Sequence, residues 1–250
     1  MQVLRTTLAV VMFLIAPLGR ADIGIQATRL VHEAGARTVS MRVWNYGKVP
    51  GLVQSWVDDG GDGEEQRNQR FPFFASPPLF TLQPGSNRDI SVNWLGSAGV
   101  PVDRESMYWL NMLSVPASKK TSGEAGVNMD VAVRVRVKLL HRPAGLPGKA
   151  EDAPAQLQWE LQGTGPASTT LVARNPSAYH ISISALSLGE HSIEVAPEHV
   201  VKPLSTWSVP VPEALDKGSL LLKGTWVDDA GAAQVLQATV RCEQAWCAAL

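Results

Sequence analysis

The sequence predicts an all-β protein of two β-sandwich domains, each of immunoglobulin-domain size, and three observations carry that prediction. Apolar residues recur with a period of two at several places along the chain. The 17 Pro and 21 Gly are spread rather than pooled, so turns interrupt the chain throughout. A Pro-rich stretch without any periodic pattern, 141–155 (HRPAGLPGKAEDAPA), falls near the middle. Strands of this kind, separated by Gly, Pro and Asp clusters every dozen residues or so, pack as sandwiches. No amphipathic helix of any length follows residue 21.

The elements are justified in order. Residues 8–18 (LAVVMFLIAPL) form an apolar run behind Arg5, and Gly19 and Ala21 place small residues where a signal peptidase cuts. Eleven apolar residues are too few to span a hydrocarbon core of about 30 Å, so 1–21 read as a cleaved secretory signal rather than an anchor. Val39, Met41 and Val43 then alternate with Ser40 and Arg42, and Ile90, Val92 and Trp94 with Ser91 and Asn93. The longest alternation places Val127, Met129, Val131, Val133, Val135 and Val137 on one parity, with Arg134, Arg136 and Lys138 on the other. Ile181 and Ile183, and then 234–242 (QVLQATVRC), supply strands of the second half. The Pro residues make 144–156 a stiff hinge between an N-terminal domain at 22–143 and a C-terminal domain at 157–250.

Composition excludes some functions. The 22 Lys and Arg against 23 Asp and Glu give a net charge of −1, and loss of Arg5 and Arg20 with the signal leaves −3. Without a basic excess there is no electrostatic case for a nucleic-acid partner. No nucleophile-elbow, nucleotide-binding or zinc-protease motif is present, so neither a nucleotide, a cofactor nor a catalytic residue is expected. The five His are scattered, and His180 reads as exposed on a strand's polar face. The acidic run 58–64 (DDGGDGE) fails the calcium-loop template at its third and twelfth positions, Gly60 and Gln69, and reads as a polar hairpin tip. Cys242 and Cys247 are the only cysteines, and export makes a local disulfide the expected state, with a metal role disfavoured by their spacing.

The Val-rich strand admits two readings. All six apolar side chains can point into the domain's own core, which periodicity alone favours. Alternatively its N-terminal half projects past the sandwich and offers its side chains to a partner, an edge that invites aggregation unless pairing is its purpose.

Residues 103–111 (DRESMYWLN) resemble the D-R-E-S-x-[FYW]-[FYW]-x-N signature of the periplasmic pilus-assembly chaperones of the chaperone–usher pathway. Further matches follow in the family's order: 27–29 (ATR), 54–56 (QSW), Phe73, Phe74 and 77–80 (PPLF), Leu82 with Pro84 and Gly85, 137–139 (VKL) with Arg142 and Pro143, 174–177 (RNPS) with Tyr179, and Asp228, Asp229 and Gly231. They span nearly the whole chain after the signal. The resemblance implies two immunoglobulin-like domains in a boomerang, which caps pilin subunits by donor-strand complementation and delivers them to an outer-membrane usher. It implies that Val127, Met129, Val131 and Val133 are the donated side chains, worth about 1.5–3 kcal/mol each when buried. It implies that Arg29 and Lys138 hold the subunit's C-terminal carboxylate, and that Glu105, Arg142 and Asp229 form an interdomain ion-pair network. It also matches Cys242 and Cys247 to a C-terminal disulfide of some members, and the short segment 116–126 (PASKKTSGEAG) to the short-loop class. The exposed strand implies possible self-association of the free protein. One tension is visible: Lys138 has the opposite parity from the valines, so a bend or bulge near the hinge is expected to reconcile them.

Overall fold

The computed structural model describes residues 23–61, 70–96, 99–117, 131–163, 169–196, 199–211, 215 and 218–242. The proposed signal, Val127, Met129 and Cys247 lie outside them, as does the side chain of Cys242.

Two sandwiches account for the described chain. The first is built from β1 (Ile23–Ile25), β2 (Arg29–Glu33), β3 (Thr38–Asn45), β4 (Gly51–Asp58), β5 (Phe73–Ser76), β6 (Leu79–Leu82), β7 (Asn87–Trp94), β8 (Ser106–Pro116) and β9 (Val133–Arg142). One sheet runs β1-β3-β7-β5 and the other β2-β9-β8-β4-β6. The alternating residues meet between them: Met41, Val43, Ile90, Val92, Leu110, Met112, Val137 and Leu139 are all buried in one core. The first strand is split because the chain changes sheets. β1 pairs antiparallel with β3, whereas after three intervening residues β2 pairs parallel with β9.

The second sandwich holds β10 (Gln158–Gln162), β11 (Thr170–Asn175), β12 (Ile181–Leu188), β13 (His191–Ile193), β14 (Val200–Val201), β15 (Ser205–Pro210), β16 (Gly218–Val227) and β17 (Ala233–Cys242). Its sheets run β10-β11-β15 and β13-β12-β16-β17, with β14 beside β12. Leu171, Ile181, Ile183, Leu188, Leu222 and Leu236 fill a separate core. The Pro-rich connector makes two short 3-10 turns, Ala150–Asp152 and Pro154–Gln156, and Ala153 between them is buried in that second core.

The valine series is graded, which divides the two readings of it along the strand. Val137 is 0% exposed, Val135 and Val133 are half-buried, and Val131 is 59% exposed. The expected bulge is absent from β9, whose ladder to β8 runs without a shift from Ser106↔His141 to Ser114↔Val133. The register irregularity lies instead in β12, between Ile183 and Ala185. Lys138 therefore lies on the opposite face from the valines, because an unbroken pleat keeps the parity of its side chains.

Two further expectations are corrected. Asp58 is not at an exposed hairpin tip. It ends β4 as a buried side chain, accepting from Asn111 Nδ2 at 2.9 Å and from the Gly60 amide at 3.0 Å. His180 is not exposed either, for a reason that belongs to the interface between the sandwiches.

Candidate functional site: the cleft between the sandwiches

Arg29 opens β2 and Lys138 is its cross-strand partner in β9, so the parallel ladder sets the two cations side by side. Both reach across to the second sandwich. Arg29 Nη1 donates to the Val227 carbonyl at 2.7 Å, and Lys138 Nζ donates to Ser182 Oγ at 3.3 Å. Ser182 and Val227 are themselves partners in the β12·β16 ladder, so one rung of the first domain faces one rung of the second.

Arg29 is 7% exposed, and its Nε has no hydrogen-bond partner among the described residues. Burial pulls its guanidinium below the ordinary value, while the acids Asp229, Asp228 and Glu105 partly restore it. A desolvated guanidinium with donors to spare favours an anion, above all a carboxylate matching its fork.

Four rungs along, β9 ends on Arg142, the hub of the network joining the domains. Its Nε donates to Glu105 Oε2 at 2.7 Å, Nη1 and Nη2 to the Asp229 carboxylate at 2.7 and 2.8 Å, and Nη1 to Glu33 at 3.4 Å. Burial alone would lower Arg142, but the hydrogen bonds and charges of Asp229 and Glu105 hold it above its ordinary value. Asp229 comes from the β16–β17 turn. Asp228 shapes that turn, accepting from Gln234 at 2.7 Å and from the Ala232 amide at 2.8 Å. Gly231 in the same turn has φ +84°, and a Cβ there would meet Thr28 Oγ1 at 2.9 Å, so both the bend and the close approach to the first domain call for glycine.

His180 is a member of this network that residue patterns alone do not reveal. Its amide donates to Glu105 Oε1 at 3.0 Å and its Nδ1 lies 2.8 Å from the same oxygen. The Glu105 amide also donates to the Ala178 carbonyl at 2.8 Å, so both the backbone and the side chain of Glu105 dock on the second domain. A second missed feature lies on the outer face of the first domain's sheet, where Arg134 stacks 5.2 Å over Trp56 and Arg136 4.5 Å over Trp109, with Asp58 beneath. The sequence signal for the arginine stacks was the opposite parity of β9, which places three cations in a row.

The edge of β9 next to the cleft differs from its continuation. β2 pairs with 138–142 and stops at Arg29. No ladder lies beside Val133, Val135 and Val137 on that side among the described residues, and the opposite side is taken by β8. A strand could be added there in line with β2.

Two family models cover nearly all of the chain after residue 21: the N-terminal domain of the pili and flagellar-assembly chaperones matches 22–147, and the C-terminal domain of the pili-assembly chaperones matches 152–238. The chain belongs to the pili-assembly chaperone family. It is a periplasmic chaperone of pilus assembly. The chaperone is 32% identical over 237 residues to chaperone protein FimB/FhaD of Bordetella pertussis, covering 90% of this chain and 91% of that one. It is 37% identical over 167 residues to the probable fimbrial chaperone YadV of Escherichia coli, covering 66% and 67%. The crystal structure of the YadV chaperone superposes on it with a TM-score of 0.73 at 30% identity, over 88% of this chain and all of the other.

Proposed function

We propose that the chaperone binds pilin subunits by adding the free edge of β9 to an incomplete subunit sandwich, with the subunit's C-terminal carboxylate seated on Arg29 and Lys138. The observation that carries this is the alignment of the two: the unladdered edge of β9 ends at the rung where both cations converge. A strand whose carboxylate sits at Lys138 and whose body lies beside 133–137 runs parallel to β9, continuing the line of β2. The anchored end then sets its register, since every residue is counted from one fixed point.

Val133 and Val131, with Val127 and Met129 further out, are the donated side chains. Burying four of them contributes roughly 6–12 kcal/mol gross before ordering costs. Backbone pairing adds affinity without demanding one subunit sequence. Donor-strand complementation gives the exposure of Val131 a purpose.

Arg142, Glu105 and Asp229, joined by His180, hold the angle of the cleft. Delivery to an outer-membrane usher follows, with assembly driven by the subunit's better final packing rather than by catalysis on this chain. A disulfide between Cys242 and Cys247 completes the reading as a staple on the terminal strand.

Co-expression with pilins from the same gene neighbourhood tests this. A one-to-one periplasmic complex is expected, and Arg29→Ala with Lys138→Ala should abolish its recovery while the chaperone stays folded. Wild-type yields from the double variant would sink the anchoring claim.

A further inference from the structure

The five-rung ladder between β2 and β9 contains a side-chain pair that neither the cleft nor the ion-pair network uses. His32 and His141 are direct cross-strand partners, and their Nδ1 atoms share a hydrogen bond of 2.9 Å. Both rings are buried, 1% and 6% exposed. They sit among aromatics: His141 stacks on Trp94 at 4.3 Å between centroids, and His32 lies edge-on to Phe73 at 5.0 Å. His32 Nε2 is buried without a hydrogen-bond partner among the described residues.

Among the described residues β2 is an edge strand of five residues, and β9 is its only ladder partner. Its first rung, Arg29↔Lys138, sets two cations together and is repulsive in itself. The next two rungs are aliphatic. Only the last two rungs carry a polar bond from side chain to side chain, His32–His141 and Glu33–Arg142. The imidazole pair is thus one of the two side-chain bonds that tie β2, and with it Arg29, to β9.

We propose that His32 and His141 are positioning residues that form a proton-sensitive clasp, holding β2 and thus Arg29 against β9 when they share one proton between facing nitrogens, and releasing the strand when acid places a proton on both. With one Nδ1–H between them, one ring donates and the other accepts. A second proton on the facing nitrogens makes one ring an imidazolium and sets N–H against N–H, so the bond is lost and a buried charge takes its place.

The surroundings oppose charge on the pair. Glu33, next to His32 on β2, and Glu105, ahead of β8, draw both rings toward protonation, while Arg142 adjoins His141 on β9. β8 also contributes Tyr108, whose hydroxyl burial pushes up and whose ring meets Phe73, while β5 and β7 present Phe73 and Trp94 to the pair. Burial outweighs the two acids and holds both imidazoles below the ordinary histidine value, and His32 further lowers His141. The folded state thus binds fewer protons than the unfolded one, so the clasp's stabilisation is complete above about pH 6.5 and is lost as pH falls below it. If the anchoring proposed above holds, subunit retention fades over the same range.

The clasp is read on the free full-length chaperone, so its failure is separate from failure of the anchoring reading. Amide hydrogen exchange, corrected for the intrinsic pH dependence, is compared between residues 31–33 and the core residues 90–92. Between about pH 7.5 and about pH 5.5, protection of 31–33 relative to the core should fall on the order of tenfold, the effect of one pH unit on a titrating group. In His32→Phe/His141→Phe it should stay within about twofold, since no group at that rung titrates. Unchanged protection in the wild type, or the same loss in the variant, overturns the proposal. Should the variant not fold, NMR titration of the wild-type imidazoles decides: both rings should stay neutral until β2 protection is lost, and protonation of both with β2 intact contradicts the clasp.

Discussion

Arg29 and Arg142 stand four rungs apart on adjoining strands, are buried alike at 7% and 9% exposure, and face the same second domain. Their surroundings differ in one respect. Arg142 is ringed by Glu105, Asp229 and Glu33, and is held above its ordinary pKa. Arg29 donates to a backbone carbonyl, keeps an unpartnered Nε among the described residues, and is drawn below its ordinary value by burial. A buried charge that is fully paired braces a structure, whereas one left short of acceptors is poised for an anion from outside. The same residue type at the same depth is thus left in two electrostatic settings, set by which acids the fold brings near.

The largest effect should come from breaking the paired site. Arg142→Ala leaves Glu105 buried with His180 and without its guanidinium, and should lower stability by about 3–5 kcal/mol, measured by urea denaturation. Arg29→Met should leave the denaturation midpoint nearly unchanged. Its effect belongs to subunit affinity, which should fall with the loss of a charge-assisted hydrogen bond worth about 1.5–3 kcal/mol, or roughly 10- to 150-fold. Equal stability losses at the two arginines would erase the contrast.

Val131→Asp sharpens the same contrast along β9. Because Val131 is exposed and Val137 wholly buried, the substitution should lose subunit binding with little change in melting temperature, whereas Val137→Asp should unfold the first domain. Unfolding by Val131→Asp would return that residue to the core.

The smallest effect concerns the turn that presents Asp229. Hydrogen bonds from Gln234 and the Ala232 amide hold the Asp228 carboxyl below its ordinary value. Its contribution is therefore present above about pH 3.9 and lost as pH falls through the lowered value. Asp228→Asn should remove that contribution, lowering stability slightly in the neutral range and flattening the acid limb of the profile below about pH 4.

Much of this was legible in the chain itself. Period-two alternation marked the strands at Met41, Ile90, Ile183 and Leu236, and the Asp103–Arg104–Glu105–Ser106 signature pointed to the family. What escaped is whatever depends on register between distant strands. His32 and His141 lie 109 residues apart and meet because β2 and β9 pair in one particular frame. His180 carries no local mark of burial, since its partner Glu105 arrives from the other domain. Asp58 begins a run of glycines and acids that reads as a loop, and only the β4–β8 pairing shows Asn111 waiting beside it. Lys138 keeps the opposite parity from the valines and the expected bulge is absent, because β9 pairs with β8 in one unshifted ladder.

The central claim is that an incoming carboxylate completes the coordination Arg29 lacks. Its most direct test is the affinity of the chaperone for a peptide of a subunit's C-terminal strand, compared as free acid and as C-terminal amide. The account predicts that amidation weakens binding by at least about tenfold, equivalent to about 1.4 kcal/mol, and that Arg29→Met with Lys138→Met abolishes the difference. Equal affinity of acid and amide for the wild-type chaperone would contradict it.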